Sequence, residues 1–99
     1  MLNKKERIFL RSKAQTLQDL VFIGKEGLTD NVIKQIEDNL FAHELIKVKV
    51  QNTCEEDKFD LAEEVAKITN CDIVTIIGTK IVLYKLSDKK NIKHILESI

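Results

Sequence analysis

Proline is absent from this 99-residue chain, and glycine occurs only three times. Without proline there is no Pro-rich linker and no polyproline recognition segment. Cys54 and Cys71, the only cysteines, are too few and too far apart for a disulfide framework or a zinc-ligand set. They are expected as reduced thiols at or near a core. No apolar run approaches the roughly 18 residues of a membrane span. The opening Met1-Leu2-Asn3-Lys4-Lys5-Glu6-Arg7 lacks the apolar segment of a signal peptide, so a cytoplasmic protein without membrane contact is expected. His43 and His94 are the only histidines, and neither stands in a motif with a cysteine. No catalytic residue, metal site or cofactor is assigned, and an enzyme is not expected. With 43% hydrophobic residues, the chain suits one compact domain with a real core, too small for an elaborate enzyme cleft.

Two of the three glycines frame the most informative segment. Leu20-Val21-Phe22-Ile23 runs into Gly24-Lys25-Glu26-Gly27, then Leu28-Thr29, then an amphipathic helix. A G-x-x-G loop opening onto a helix N-terminus suits capture of a phosphate backbone. Glycine permits positive φ and removes the Cβ that would hold a ligand away. The first N–H groups of the helix have no internal partner and carry partial positive charge, so an anion can dock on them. Thr29 reads as the N-cap, with Asp30 in the first turn. Leu28 and Ile33 stand at the positions of a hydrophobic staple, and Val32, Ile33, Ile36 and Leu40 form a core-facing stripe. The same spacing also suits a strand-to-helix turn that uses glycine for geometry alone. A nucleotide P-loop fits poorly, because Asp19 and Glu26 stand where that motif wants glycine and Ser or Thr.

The remaining chain alternates helix and strand signals. Asn3 with Glu6 is a capping-box start for a helix over residues 3–15, with Leu10, Ala14 and Leu17 on one face. Ile46, Val48 and Val50 alternate with lysines in Leu45-Ile46-Lys47-Val48-Lys49-Val50, the pattern of a half-buried strand. Thr53 and Glu56 resemble a second capping box. The helix after them would turn Leu61, Ala62, Val65, Ala66 and Ile68 inward and its carboxylates outward. Two β-branched runs, 72–77 and 81–85, flank Gly78-Thr79-Lys80 as a hairpin. The expected fold is α/β, a single compact domain of order α-β-α-β-α-β-β. Its four-stranded mixed sheet would pack with helices, with right-handed parallel crossovers and an antiparallel last strand. After a domain of residues 1–86, the tail 87–99 places Ile92, Ile95, Leu96 and Ile99 at helical spacing and is expected to dock as a short helix.

Net charge is zero, yet the charges are segregated. Residues 1–15 hold five bases and one acid, and residues 73–99 hold five bases and two acids. Residues 55–72 hold two bases and seven acids. A basic face can recruit phosphate by its local field even on a neutral chain. The carboxylates Glu55, Glu56, Asp57, Asp60, Glu63 and Glu64 fall on a helix start and its outer face, which suits a solvated surface rather than a metal site. Phe22, Phe41 and Phe59 read as core or core-edge, and Tyr84 as half-buried. His43, at a helix end, is read as a C-terminal cap.

Three blocks carry a family resemblance. Ile23-Gly24-Lys25-Glu26-Gly27-Leu28-Thr29, His43-Glu44-Leu45-Ile46-Lys47-Val48-Lys49 and Ile77-Gly78-Thr79-Lys80-Ile81-Val82-Leu83-Tyr84-Lys85 resemble the signature blocks of the CRM domain. This is the chloroplast RNA splicing and ribosome maturation domain, whose stand-alone bacterial form is the YhbY family. The resemblance covers about residues 2–86. It implies an RNA-binding domain with a fold similar to the C-terminal domain of translation initiation factor three, associated in bacteria with precursors of the large ribosomal subunit. The chain departs from the family's usual Ala-His and following proline: Ala14 is followed by Gln15, and Asp19 occupies the proline region.

The expected function is therefore RNA binding by a monomer that clamps the sugar–phosphate backbone with its G-x-x-G loop, as such loops do in KH domains. The RNA-binding residues assigned are Gly24, Lys25, Glu26, Gly27 and Thr29, extended by Arg7, Arg11, Lys13 and Lys80. Ribosomal RNA or a pre-ribosomal particle is the expected partner. The alternative is a protein-interaction module whose acidic helix docks to a basic ribosomal protein.

Overall fold

Asn3 starts the first helix as its spacing to Glu6 predicts. Its Oδ1 accepts the Glu6 N–H at 2.8 Å, and Glu6 Oε1 accepts the Asn3 N–H at 3.0 Å. The computed structural model describes residues 2–98. In chain order the elements are α1 (Lys4–Ala14), β1 (Asp19–Ile23), α2 (Asp30–His43), β2 (Leu45–Val50), α3 (Lys58–Thr69), β3 (Asp72–Ile77), β4 (Lys80–Tyr84) and a 3-10 turn, Ile95–Ser98. The order α-β-α-β-α-β-β is the expected one.

The sheet runs β1-β2-β4-β3. β1 pairs with β2 in parallel, while β4 is antiparallel to both β2 and β3. The last strand thus lies in the interior of the sheet. Its sequence explains why: Ile81, Val82, Leu83 and Tyr84 are all buried, a near-continuous apolar run suited to a strand covered on both faces.

Strand alternation distributes the side chains between two layers. On one face, Val21, Ile23, Ile46, Val48, Val50, Ile81 and Leu83 pack with Ile36 and Leu40 of α2 and with Leu61, Ala62 and Val65 of α3. On the other, Leu45, Val74, Val82 and Tyr84 pack with Leu10 and Ala14 of α1, supported by Phe9, Leu17, Ile95 and Leu96. Each fully buried aliphatic side chain contributes roughly 1.5–3 kcal/mol relative to exposure. The two cysteines are free and half-buried against the first cluster, and burial pushes the Cys71 thiol up from its usual range.

Several local expectations need correction. α3 is capped by Asp57, not by Thr53: Asp57 Oδ2 accepts the N–H groups of Phe59 and Asp60 at 3.1 and 3.2 Å. Thr53 precedes the helix, in a turn where Cys54 N–H donates to the Gln51 carbonyl. The apolar stripe of α3 is completed by Thr69, while Ile68 is half exposed. At about 100° per residue, position 68 falls to one side of the arc through 61, 62, 65 and 69. The hairpin connection is two residues, not three, because Ile77 pairs with Lys80. Gly78 has φ +57, the positive φ that a primed turn needs.

The tail is not an α-helix. Ile95 and Leu96 reach the α1 cluster on a single 3-10 turn, and Ile99 lies outside the described residues. The chain between is held by Glu44, which is fully buried. Glu44 also caps α2, with φ 65 and its N–H donating to the Leu40 carbonyl at 2.8 Å. The cap is therefore Glu44, and His43 is the exposed last residue of the helix.

Candidate nucleic-acid interface

The G-x-x-G loop begins where β1 ends. Gly27 N–H donates to the Gly24 carbonyl at 3.0 Å, closing a turn with Lys25 and Glu26 at its tip. Gly27 has φ +69, and its carbonyl accepts the Thr29 N–H at 3.1 Å. Thr29 then caps α2, its Oγ1 accepting the Val32 N–H at 3.2 Å. Leu28 and Ile33 are half-buried against the core, consistent with the staple. Among the described residues, the N–H groups of Lys25 and Glu26 meet no internal acceptor, and both side chains are exposed.

Behind the two glycines stand the far ends of two exposed side chains. A Cβ on Gly24 would stand 2.8 Å from Oε1 of Gln51, and one on Gly27 would collide with the Glu56 carboxylate. The directions in which these residues lack side chains therefore face the segment after β2, not open solvent. That segment is tied in by the Gln51 N–H donating to the Ile23 carbonyl at 2.8 Å. The hairpin turn lies at the same end of the sheet. Val50 N–H donates to Thr79 O at 2.7 Å, and the Lys58 ammonium donates to Gly78 O.

The assigned basic residues divide into two groups. Arg7 is engaged by the fold: its guanidinium donates to the carbonyls of Ile73 and of Val74, the latter at 3.0 Å. These carbonyls lie where the β3–β4 register shifts between Ile73 and Thr75. Arg11 and Lys13 are exposed on α1. Lys80 donates to Asp19 Oδ2 at 2.7 Å. The structure brings Arg11 and Lys80 together along one groove that Lys47 also lines, but Lys25 is not part of that groove.

From sequence, Lys47 and Lys49 carry no assigned site role, and Phe22 reads as core or core-edge. Period-2 alternation carries the signal: with Ile46, Val48 and Val50 inward, the lysines share the opposite face. The same rule turns Phe22 away from buried Val21 and Ile23. Phe22, Phe41 and Phe59 are 47%, 49% and 54% exposed, so of the core or core-edge reading the buried core drops out. Tyr84 is the opposite case. It is buried under α1, and desolvation, reinforced by Glu44, Glu6 and Asp72, pushes its hydroxyl up to about 12. Among the described residues, no group of three or more His, Cys, Asp or Glu could hold a metal. No described helix is long and apolar enough to cross a membrane.

The CRS1/YhbY (CRM) domain profile matches residues 2–85. The chain belongs to the CRS1/YhbY (CRM) domain family. Within this family it is 52% identical over 87 residues to a Bacillus subtilis protein named "Probable RNA-binding protein YqeI", covering 88% of this chain and 91% of that one. It is 37% identical over 92 residues to a Haemophilus influenzae protein named "RNA-binding protein", covering 93% of each chain. The solution structure of SAV1595 from Staphylococcus aureus has the same fold, with a TM-score of 0.77 and 41% identity over 92% of this chain and 95% of that one. In this CRM domain the loop, the α2 cap and the hairpin turn all meet at the end of the sheet described above.

Proposed function

We propose that this CRM-family chain binds RNA as a monomer, holding the sugar–phosphate backbone at the tip of its G-x-x-G loop. The names of its relatives support RNA as the partner. One observation carries the site: among the described residues, the Lys25 and Glu26 amides lack internal acceptors, at an exposed turn beside the start of α2. Backbone donors there, with the positive end of the helix dipole, suit a phosphate. Lys25 adds charge, Glu26 contributes its N–H rather than its carboxylate, and Gly24 and Gly27 set the turn. Thr29 orients the helix start. Arg11, Lys13 and the half-exposed Lys80 extend the basic surface, while Arg7 serves the fold.

The likeness to the YhbY family supports precursors of the large ribosomal subunit as the target. Crosslinking in cells followed by RNA sequencing tests this, since enrichment of other transcripts over ribosomal precursors would reject it. The contact mode is tested by salt. Neutralising about three to five phosphates at about −0.7 each gives a slope of log K against log salt of roughly −2 to −3.5. Lys25→Ala should weaken binding by about 1 kcal/mol or less, uniformly across sequences.

A second reading rests on α3, whose Glu63 and Glu64 are exposed. That helix and α1 lie on opposite faces of the sheet. An acidic helix there suits docking to a basic ribosomal protein. Under this reading, neutralising Glu63 and Glu64 weakens the complex and Lys25→Ala does not, whereas RNA affinity under the first reading is unchanged or slightly raised by their loss.

A further inference from the structure

The α1 side of the sheet is covered over only half its length. At the loop end, cross-strand pairing aligns Phe22 with Lys49, Lys49 with Lys80, and Lys80 with Ile77. Alternation puts all four on the α1 face, because Val21, Ile23, Val48, Val50, Ile76 and Ile81 belong to the core on the opposite face. Phe22 is 47% and Ile77 56% exposed. One row therefore crosses all four strands with an aromatic ring at one edge, an aliphatic side chain at the other and two lysines between. Four strands about 4.8 Å apart make this row roughly 14 Å long.

The neighbouring positions add charge. Lys47, in the same strand as Lys49 and on the same face, lines a groove of about 530 Å³ with Arg11, Thr75, Ile77 and Lys80. Among the described residues, only Lys80 of these bases has a carboxylate partner, Asp19. Arg11, Lys47, Lys49 and Lys80 thus face one acid, while the acidic outer surface of α3 lies on the far side of the sheet. Phe22 stands two residues before Gly24, so the row is continuous with the loop.

We propose that this open half-sheet is a platform for single-stranded RNA, on which Phe22 stacks one base and Lys47 and Lys49 neutralise the phosphates of about two or three nucleotides crossing the strands. The inference rests on the reading of the chain as an RNA binder and extends it to the strand chemistry of the ligand. Stacking needs unpaired bases, so the platform takes single strands in preference to duplex. Charge complementarity selects the occupant: an uncharged apolar partner would leave Lys47 and Lys49 desolvated and unpaired.

The test is fluorescence anisotropy with labelled octauridylate and, in parallel, an RNA duplex of equal length. Phe22→Ala should weaken octauridylate binding roughly five- to hundredfold, and Phe22→Trp should retain it. Lys49→Gln, a surface change that spares the fold, should flatten the salt slope by about 0.7. Duplex affinity should be lower than octauridylate affinity and unmoved by Phe22→Ala. If Lys25→Ala weakens octauridylate binding while the Phe22 and Lys49 variants do not, the platform is rejected and the loop clamp stands. Loss with the Phe22 and Lys49 variants but not with Lys25→Ala supports the platform and rejects the clamp. A concentration-dependent dimer of the wild-type chain that Phe22→Ala abolishes, with octauridylate affinity unchanged, would assign the face to a second copy and overturn the proposal.

Discussion

His94 Nδ1 lies 2.7 Å from Oε2 of Glu44, across 50 residues of sequence, and this contact fastens the tail to the end of α2. The same carboxylate accepts the N–H groups of Ser87 at 2.7 Å and Ile95 at 2.9 Å. Burial raises the Glu44 pKa, but the bonds from Ser87, His94 and Ile95 outweigh it and hold the carboxyl below its usual range. Its hydrogen bond to Glu44 raises the His94 pKa.

Tail attachment should therefore depend on pH in both directions. The raised His94 pKa contributes stability present below its ordinary value of 6.5 and lost as pH rises through the folded value. The lowered Glu44 pKa contributes stability present above 4.5 and lost as pH falls through the folded value. The two overlap fully between pH 4.5 and 6.5. Thermal melts and amide exchange at Ser87 and Ile95 should show the largest gap between wild type and His94→Ala in that window. A gap that stays constant through alkaline pH would reject the ion-pair account.

Glu44 also bears backbone strain, with φ 65 and ψ −36. Glycine tolerates such a conformation better than any residue with a Cβ. Glu44→Ala loses the carboxylate and keeps the strain, and should cost about 2 kcal/mol or more. Glu44→Gly loses the same bonds but should be less damaging by about 1 kcal/mol. Urea denaturation of both variants checks the order. Equal stabilities would show that strain at this cap is negligible.

Arg7 ties α1 to the irregular point of β3. Arg7→Ala removes donors from two backbone carbonyls and should destabilise by about 1–2 kcal/mol. Because the guanidinium is already engaged, RNA affinity of the folded fraction should not change. Calorimetry beside binding titrations measures the two effects separately.

How much of this was legible depended on how local the cause was. The Asn3–Glu6 box and the Thr29 cap are contacts across three residues, and both could be read from spacing alone. So could the alternation of β2. The cap of α3 was misplaced because Thr53 and Asp57 both offer cap chemistry, and only the turn at Gln51–Cys54 decides between them. The roles of Glu44 and Arg7 depend on partners 43 to 67 residues away, which no local pattern encodes. Phe22, Phe41 and Phe59 were read as core or core-edge because apolar type alone does not say that the sheet leaves Phe22 uncovered, or that Phe41 of α2 and Phe59 of α3 stand half exposed. At the candidate site, the loop was legible from its glycines, but the packing of Gln51 and Glu56 behind them was not.

That packing separates the two loop glycines experimentally. At Gly24 an added Cβ is crowded by the far end of the exposed Gln51 side chain, which can rotate away, and meets Thr53 Oγ1 at an ordinary 3.7 Å, and φ is not positive. Gly24→Ala should therefore change stability by no more than about 0.5 kcal/mol. At Gly27 the φ of +69 disfavours any Cβ whatever the space, whereas the Glu56 carboxylate in its path is, like Gln51, the far end of an exposed side chain and adds a smaller cost. Gly27→Ala should destabilise by about 1–2 kcal/mol. Adding Glu56→Ala removes the steric part and leaves the conformational part, so the double variant should recover only a fraction of the loss. Full recovery would mean that steric exclusion by Glu56, rather than positive φ, requires glycine at position 27. No recovery would assign the whole requirement to the backbone.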